Sequence, residues 1–261
     1  MSLPLKELIN YGKTQLERAG IEDADRDARG LYCFLDRLDS VGLMMHWQDV
    51  LQDNQCEAYF ELIERRAAGE PFQYITGTQE FMGLTFAVDP SVLIPRQDTE
   101  TMVEDAEELI QKGTLRDRPY GKPGAIKEIL DLCCGSGAIG ISLAKRCGRL
   151  KVTCSDVSAP ARRNAAANGC KSVRFEQGDM FEPFSGKLGR KKFDMIISNP
   201  PYIASSVIPE LQREVREHEP LEALDGGEDG LDFYRRIASE AAGHLHKNGV
   251  LMLEIGFDQG E

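Results

Sequence analysis

The chain has 261 residues, and its 41% of hydrophobic residues suffices for a sizeable buried core. Its net charge of −12 opposes the counterion release that drives non-specific nucleic-acid binding, so a basic protein segment is a better partner than DNA or RNA. No apolar run approaches the roughly 20 residues that cross a bilayer, and the N-terminus lacks the apolar core of a signal peptide. We therefore expect a cytoplasmic protein without a membrane partner.

The cysteines and histidines indicate neither disulfides nor a metal site. The 7 cysteines are odd in number and contain no Cys-x-x-Cys pair, and the 4 histidines form no cluster with metal-ligand spacing. We expect reduced, mostly buried thiols and no bound metal.

The N-terminal region is predicted to be helical. Apolar residues recur at helical spacing within residues 5–16, 24–38 and 62–67. They predict a small helical domain over residues 1–75. Because this domain carries no group of reactive side chains, its residues are expected to serve packing or the docking of a protein substrate.

A β-hairpin linker is predicted over residues 76–96. The alternation of apolar residues within 84–88 predicts one strand, and the apolar residues 92–94 predict a second strand after a turn at Asp89-Pro90. The remaining residues, 97–261, are predicted to form the last domain.

The last domain alternates strand and helix patterns. Its predicted strands lie near residues 128–133, 151–155, 173–177, 193–198 and 249–255. This alternation predicts an α/β, Rossmann-like domain with a mostly parallel sheet.

The first of these strands leads into Cys134-Gly135-Ser136-Gly137-Ala138-Ile139-Gly140, which contains the Gly-x-Gly-x-x-Gly pattern of dinucleotide-binding folds. Glycines allow the backbone to approach a ligand at a helix N-terminus. Asp156 ends the next strand about 20 residues on, where such folds hold ribose hydroxyls. Nicotinamide and S-adenosylmethionine enzymes share this arrangement.

Two further aspartates favour S-adenosylmethionine. Asp131 lies inside the first strand, where a carboxylate suits a cationic sulfonium better than a pyrophosphate, and Asp179 could accept a hydrogen bond from an adenine amino group. Each aspartate alone is more simply a turn or capping residue, but consecutive strands that each end in a suitable group favour a common site. The residues predicted to bind the cofactor are Asp131, Cys133, Cys134, Gly135, Ser136, Gly137, Asp156, Asp179, Met180 and Asn199.

The fourth strand ends abruptly at Asn199-Pro200-Pro201-Tyr202, because the prolines have no N–H for a sheet ladder. The Asn199 amide oxygen and the Pro200 carbonyl are hydrogen-bond acceptors, and the Tyr202 ring is a flat apolar surface. Two acceptors beside a flat surface suit a planar NH2 group. We expect Asn199, Pro200 and Tyr202 to be catalytic, and the same residues together with Pro201 to bind the substrate.

These motifs resemble those of the amino-methyltransferases, which alkylate adenine N6 or amide nitrogens. Further matches identify a resemblance to the HemK/PrmC family of glutamine N5-methyltransferases; they are Phe81-x-Gly83-Leu84-x-Phe86, Val92-Leu93-Ile94-Pro95-Arg96, Glu214-Val215 and the run from Glu219-Pro220 to Gly230-Leu231. The resemblance implies methylation, with S-adenosylmethionine, of the glutamine in the Gly-Gly-Gln motif of peptide chain release factors. We expect a monomer.

The chain departs from the family pattern in two places. Cys133 and Cys134 stand where the family has Gly-Thr, and Gln97 and Asp98 stand where it has Pro-Glu. The family also continues through two more strands after the fifth, so we expect a methyltransferase domain that is truncated at its C-terminus.

Other functions remain possible from the residues alone. An adenine-N6 nucleic-acid methyltransferase shares the Asn-Pro-Pro-Tyr motif, although the acidic charge disfavours it. A ribosomal protein could provide the glutamine in place of a release factor. The chain could also bind a translation factor without catalysis.

Overall fold

A computed structural model describes residues 3–112, 114–115, 118–119, 126–186 and 189–260. Its helices, in chain order, are α1 (Leu5–Arg18), α2 (Ala24–Asp36), α3 (Ser40–Met45), α4 (Asp53–Ala67), α5 (Phe72–Thr76), α6 (Asp98–Lys112), α7 (Ala138–Cys147), α8 (Ala161–Ala167), α9 (Arg213–His218) and α10 (Asp232–His244). Among the helices that the structure describes, none combines the length and apolar character required to span a bilayer.

The strands are mostly short outside one central sheet. In chain order they are β1 (Leu3–Pro4), β2 (Val50–Leu51), β3 (Thr78–Phe81), β4 (Leu84–Ala87), β5 (Thr114–Leu115), β6 (Arg118–Pro119), β7 (Glu128–Leu132), β8 (Lys151–Asp156), β9 (Arg174–Gln177), β10 (Ser185–Gly186), β11 (Gly189–Arg190), β12 (Phe193–Ser198) and β13 (Leu245–Leu253).

The chain divides into two compact units. One comprises the residues up to Gly77 together with Gln212–His218, and the other comprises Thr78–Leu211 and Glu219–Glu261. The second unit contains the central sheet, whose five strands are all parallel and lie in the order β13-β12-β7-β8-β9. The predicted α/β, Rossmann-like fold is therefore confirmed.

Helices cover both faces of this sheet. Successive side chains of a strand point to opposite faces, so each strand contributes to two apolar cores. Ile129 of β7 and Ile197 of β12 belong to an apolar core that α6 and α7 also supply. Their sequence neighbours Leu130 and Ile196 belong to a second core, which includes side chains of α10. Burial on both faces explains why these strands are continuous apolar runs.

The hairpin differs from the prediction in its turn. Strands β3 and β4 pair antiparallel, and their connection is Met82-Gly83, not Asp89-Pro90. Met82 and Gly83 have φ values of 52° and 73°, as a tight two-residue hairpin turn requires. Residues 92–94 form no strand, and Val92 and Leu93 contribute to a cavity wall instead.

The first unit is a helical bundle with its own core, which confirms the predicted N-terminal helical region. Tyr32 and Tyr59 are fully buried in that core, and their rings meet edge to face. α9 completes this unit from the later part of the chain. Its Glu214 accepts from the buried Arg66 guanidinium at 2.6 Å, and Arg66 also donates to Asp27 at 2.7 Å. The buried cation thus has two carboxylate partners, which its desolvation requires.

Candidate active site

The carboxyl ends of the parallel strands lie in one row across the sheet. The last row of partners, from β13 to β9, consists of Leu253, Ser198, Leu132, Ser155 and Glu176. The residues one position further along are Glu254, Asn199, Cys133, Asp156 and Gln177. Parallel α/β sheets bind ligands beyond this edge, so the register itself assembles the candidate site.

A cavity of about 630 Å³ opens at this row. Cavities of this size are typical for small-molecule ligands. Its wall contains many of the residues that the sequence predicts to bind cofactor or substrate: Cys133, Cys134, Gly135, Ser136, Asp156, Asp179, Met180, Asn199 and Pro201. Asp131, Gly137, Pro200 and Tyr202 are not part of that wall within the described chain.

The two glycines of the loop have different roles. Gly135 has a φ of 51° and lies on the cavity wall, and a Cβ built there meets open space. Gly137 precedes α7, and a Cβ there would lie 2.8 Å from the side chains of Ala161 and Ile141. Gly135 therefore leaves room for a ligand, whereas Gly137 allows close packing at the start of α7.

Asp156 joins the cavity wall to the glycine loop. Its Oδ2 accepts from the Gly135 N–H at 2.9 Å, and its Oδ1 accepts from the N–H and the hydroxyl of Ser158 at 2.9 and 2.8 Å. A carboxylate has about four lone-pair sites, so Asp156 can hold the loop and still accept from a hydroxyl of a ligand.

Asp131 lies beneath the cavity instead of in its wall. Its side chain is fully buried, and its Oδ2 accepts from the Gly140 N–H in the first turn of α7 at 2.8 Å. The Oδ1 atom has no hydrogen-bond partner among the described residues. Burial raises the pKa of this carboxyl group to about 7. The Cys154 thiol also donates to Oδ2, at 3.8 Å. The contacts that the structure gives Asp131 are therefore a helix cap and a thiol within the core, and not a ligand contact.

The cysteines of the loop are protonated at neutral pH. Burial raises the pKa of the Cys133 thiol to about 12, and a hydrogen bond to Cys154 together with burial raises that of Cys134 well above its ordinary value. The Cys133 sulfur lies 3.7 Å from the Met180 sulfur. These side chains give the cavity a polarisable apolar wall and no reactive thiolate.

Asp179 lines the cavity next to Met180 and forms an ion pair with Arg236 at 2.7 Å. Only the Oδ2 atom of Asp179 takes part in this contact. The Oδ1 atom is therefore the part of this carboxylate that is available to a ligand amino group.

Asn199 follows β12 on the cavity wall, and its Nδ2 donates to the Thr99 hydroxyl at 3.3 Å. The prolines that follow are both buried. The half-buried Tyr202 directs its hydroxyl to Glu254 Oε1 at 3.4 Å. The amide end of the motif therefore faces the cavity, and its aromatic end contacts the neighbouring strand end.

Sequence reasoning missed several residues of the wall. Arg96 pairs with the buried Glu219, and the apolar Val92 and Leu93 line the cavity beside them. Those residues belong to the segments that carry the family resemblance, so the sequence marked them, but it did not indicate what they contact. Thr99 carried no signal beyond its place in the first turn of α6.

Comparisons with known proteins give the family of the chain. A model described as the PrmC N-terminal domain matches residues 7–77, and one described as the methyltransferase small domain matches residues 118–215. The release factor glutamine methyltransferase of Geobacter sulfurreducens is 42% identical over 261 residues, covering 98% of this chain and 86% of its own. That of Clostridium acetobutylicum is 37% identical, covering 98% and 87%.

The chain belongs to the release factor glutamine methyltransferase family. Membership confirms the predicted resemblance, the methyltransferase class and S-adenosylmethionine as the cofactor. Among solved structures, the catalytic domain of human Mettl16 aligns with 81% of this chain and 72% of its own at 14% identity, with a TM-score of 0.48. The family assignment rests on the sequence relatives and not on that likeness.

Proposed function

We propose that this chain methylates the side-chain amide nitrogen of a glutamine in peptide chain release factors, in the cytoplasm and as a monomer. The observation that carries the proposal is the position of Asn199. It stands in the row of strand ends that also holds Cys133 and Asp156, on the wall of one cavity. This position supports the proposal that Asn199 accepts from an amide NH2 beside the residues proposed to bind the cofactor.

The cavity fits S-adenosylmethionine better than a dinucleotide. Asp156 suits a ribose hydroxyl of either cofactor, whereas Asp179 presents a second carboxylate that suits an adenine amino group and would repel a pyrophosphate. The open space at Gly135 and the apolar surface of Met180 complete the binding wall. When bound, this cofactor would supply a methyl group on a sulfonium for transfer to the amide nitrogen, and the methylated nitrogen would release a proton to solvent.

The residues of this chain would act on the amide by orientation. An amide nitrogen is a weak nucleophile because its lone pair is delocalised into the carbonyl group. Asn199 and the Pro200 carbonyl, each accepting one N–H, would fix the NH2 group and favour pyramidal nitrogen. Such positioning can supply several kcal/mol, roughly 7–11 at most, without a strong base.

Tyr202 and Pro201 are proposed to contact the substrate amide from the side. The Tyr202 ring would pack against the amide plane and its face would stabilise nearby positive charge. Pro201 lies on the cavity wall and would close the site against water.

The direct test replaces Asn199. Asn199→Ala should lower methyl transfer to a purified release factor at least 100-fold, on the order of 3 kcal/mol of transition-state stabilisation. Asn199→Asp keeps an acceptor at nearly the same place and should retain more activity than Asn199→Ala. Cofactor affinity is measured in parallel by calorimetry, and the exposed Asn54 gives the control Asn54→Ala.

The substrate is tested with release factor, ribosomal protein and adenine-containing DNA under identical conditions. The proposal requires label on the release-factor glutamine. Transfer to DNA alone would favour the adenine-N6 alternative, and transfer to the ribosomal protein alone would make that protein the substrate. Wild-type activity in Asn199→Ala with unchanged cofactor binding would contradict the proposed catalytic role.

A further inference from the structure

A polar cluster lies directly behind Asn199, among otherwise apolar strands. It contains Thr99, Asn199, Tyr202, Tyr234 and Glu254, all within the second compact unit. Glu254 is the residue that follows β13 and is the neighbour of Asn199 in the row of strand ends. It is the one carboxylate of this cluster.

The backbone at Glu254 is held on both sides. Its N–H donates to the Ser198 carbonyl at 3.0 Å, and its carbonyl accepts from the Tyr234 hydroxyl at 2.8 Å. The carboxylate is therefore presented at a fixed place, one residue from the Asn-Pro-Pro-Tyr motif. Fixed placement is what a residue that orients a catalytic group requires.

The carboxylate itself is only partly satisfied. Its Oε1 accepts from the Tyr202 hydroxyl at 3.4 Å, while its Oε2 is buried and has no hydrogen-bond partner among the residues described. Burial raises the pKa of Glu254, whereas the neighbouring Thr99, Tyr202 and Asn199 side chains act to lower it. A buried oxygen next to hydroxyl and amide groups is in a position to accept a hydrogen bond from one of them.

The hydroxyl of Thr99 supplies the connection. Its oxygen accepts from Asn199 Nδ2, so its single proton has to be donated elsewhere. Thr99 is buried, and the Asn199 side chain that it contacts belongs to the neighbour of Glu254 in the row of strand ends. A hydrogen bond from the Thr99 hydroxyl to Glu254 Oε2 would complete a chain from Asn199 through Thr99 to the carboxylate.

We propose that Glu254 is a positioning residue for methyl transfer, which holds Asn199 through the Thr99 hydroxyl and Tyr202 directly. This inference rests on the proposed function of Asn199. A carboxylate at the end of this hydrogen-bond chain accepts from the Thr99 hydroxyl. The Thr99 oxygen thereby becomes a stronger acceptor and polarises the Asn199 amide. The Asn199 oxygen then accepts more strongly from the substrate NH2.

The hydrogen-bond chain also fixes the orientation of the Asn199 amide group. With Nδ2 directed to Thr99, the oxygen is left for the substrate. Without the carboxylate, Thr99 could donate to Asn199 instead, and the amide could rotate and present its NH2, which would repel the substrate donor. The effect therefore falls on the chemical step and not on cofactor binding.

The first experiment compares Glu254→Gln with Glu104→Gln, an identical change at an exposed position of α6. Steady-state transfer to a release factor should show kcat lowered at least tenfold in Glu254→Gln. The KM for the release factor and the Kd for S-adenosylmethionine should stay within twofold of wild type. Glu104→Gln should match wild type throughout.

The second experiment tests the hydroxyl. Thr99→Val preserves shape and removes the proton, whereas Thr99→Ser keeps it. Thr99→Val should lower kcat, though by no more than Glu254→Gln, because Glu254 also holds Tyr202; Thr99→Ser should retain most of the activity. The double variant Thr99→Val/Glu254→Gln should lose little more than Glu254→Gln alone, because that change already breaks the chain through Thr99.

The outcomes separate the two proposals. A wild-type enzyme that does not methylate glutamine would refute the proposed function before any variant is compared. An active wild type with a folded Glu254→Gln whose kcat is within twofold would refute the positioning role alone. Additive losses in the double variant, or a raised Kd for the cofactor as the main effect, would also overturn it.

Discussion

Asp131 allows a prediction whose size follows from the structure. Its carboxyl group is fully buried, one oxygen has no partner among the described residues, and burial raises its pKa from an ordinary 3.8 to about 7. The folded state therefore binds the proton more tightly than the unfolded state. The resulting stabilisation is complete below the unfolded pKa and is lost as pH rises through the folded pKa.

Between pH 8 and pH 6 this group alone should raise the free energy of unfolding by on the order of 1 kcal/mol. Asp131→Asn keeps an oxygen for the Gly140 N–H and cannot titrate, so it should lack this part of the pH dependence. Other titrating groups contribute equally to both proteins, and the difference between their slopes isolates Asp131.

The assay is urea denaturation of the cofactor-free protein, followed by circular dichroism at pH 6, 7 and 8. Asp258→Asn, at an exposed carboxylate, provides the matched control and should keep the wild-type slope. If Asp131→Asn shows the same pH dependence as wild type, the carboxyl group titrates normally and its burial does not have the stated consequence.

Two further predictions concern the cavity wall. Asp156→Ala should weaken S-adenosylmethionine binding by roughly 1.5–3 kcal/mol, because a charge-assisted hydrogen bond to a ribose hydroxyl is lost. Calorimetry measures the Kd, and Ser158→Ala is the control for a change in the loop. An unchanged Kd in Asp156→Ala would contradict the proposed contact with the ribose. Cys133 has a φ of 57°, where a β-branched side chain is strained, so Cys133→Val should be less stable than Cys133→Gly by about 1–2 kcal/mol. Thermal melts compare the two, and equal melting temperatures would show that the loop relaxes freely.

Periodicity predicted the central sheet well, because buried parallel strands are continuous apolar runs with abrupt ends. β12 was predicted with its observed bounds, since two prolines end its ladder. The hairpin turn was not predicted, because Met82 gives no sign of the positive φ that it adopts. Asp89-Pro90 is a stronger turn signal in sequence, but strand pairing is decided by the side chains that β3 and β4 bury.

The position of a side chain along its strand is the part that sequence could not give. Asp131 and Asp156 both occur in strands beside the glycine loop, and the pattern treats them alike. The register places both on the same face of the sheet, but Asp131 pairs with Cys154 and so lies two rows before Asp156, which is the last residue of its own strand. Asp131 consequently meets the start of α7, and Asp156 meets the cavity.

The register of the sheet explains why the site residues act together although they are far apart in sequence. Asn199, Cys133, Asp156 and Glu254 each follow the last paired residue of a strand or end it, so one row of the sheet holds the acceptor for the substrate, the cofactor wall and the carboxylate behind them. A slip of one residue in any strand would turn that strand's contribution to the opposite face. Glu254 belongs to this row by the same rule that predicted Asn199. The sequence analysis did not single out Glu254, because it predicted that the fifth strand extends to residue 255; the observed end of β13 at Leu253 places Glu254 in the row, and the hydrogen bonds around it determine what it can do there.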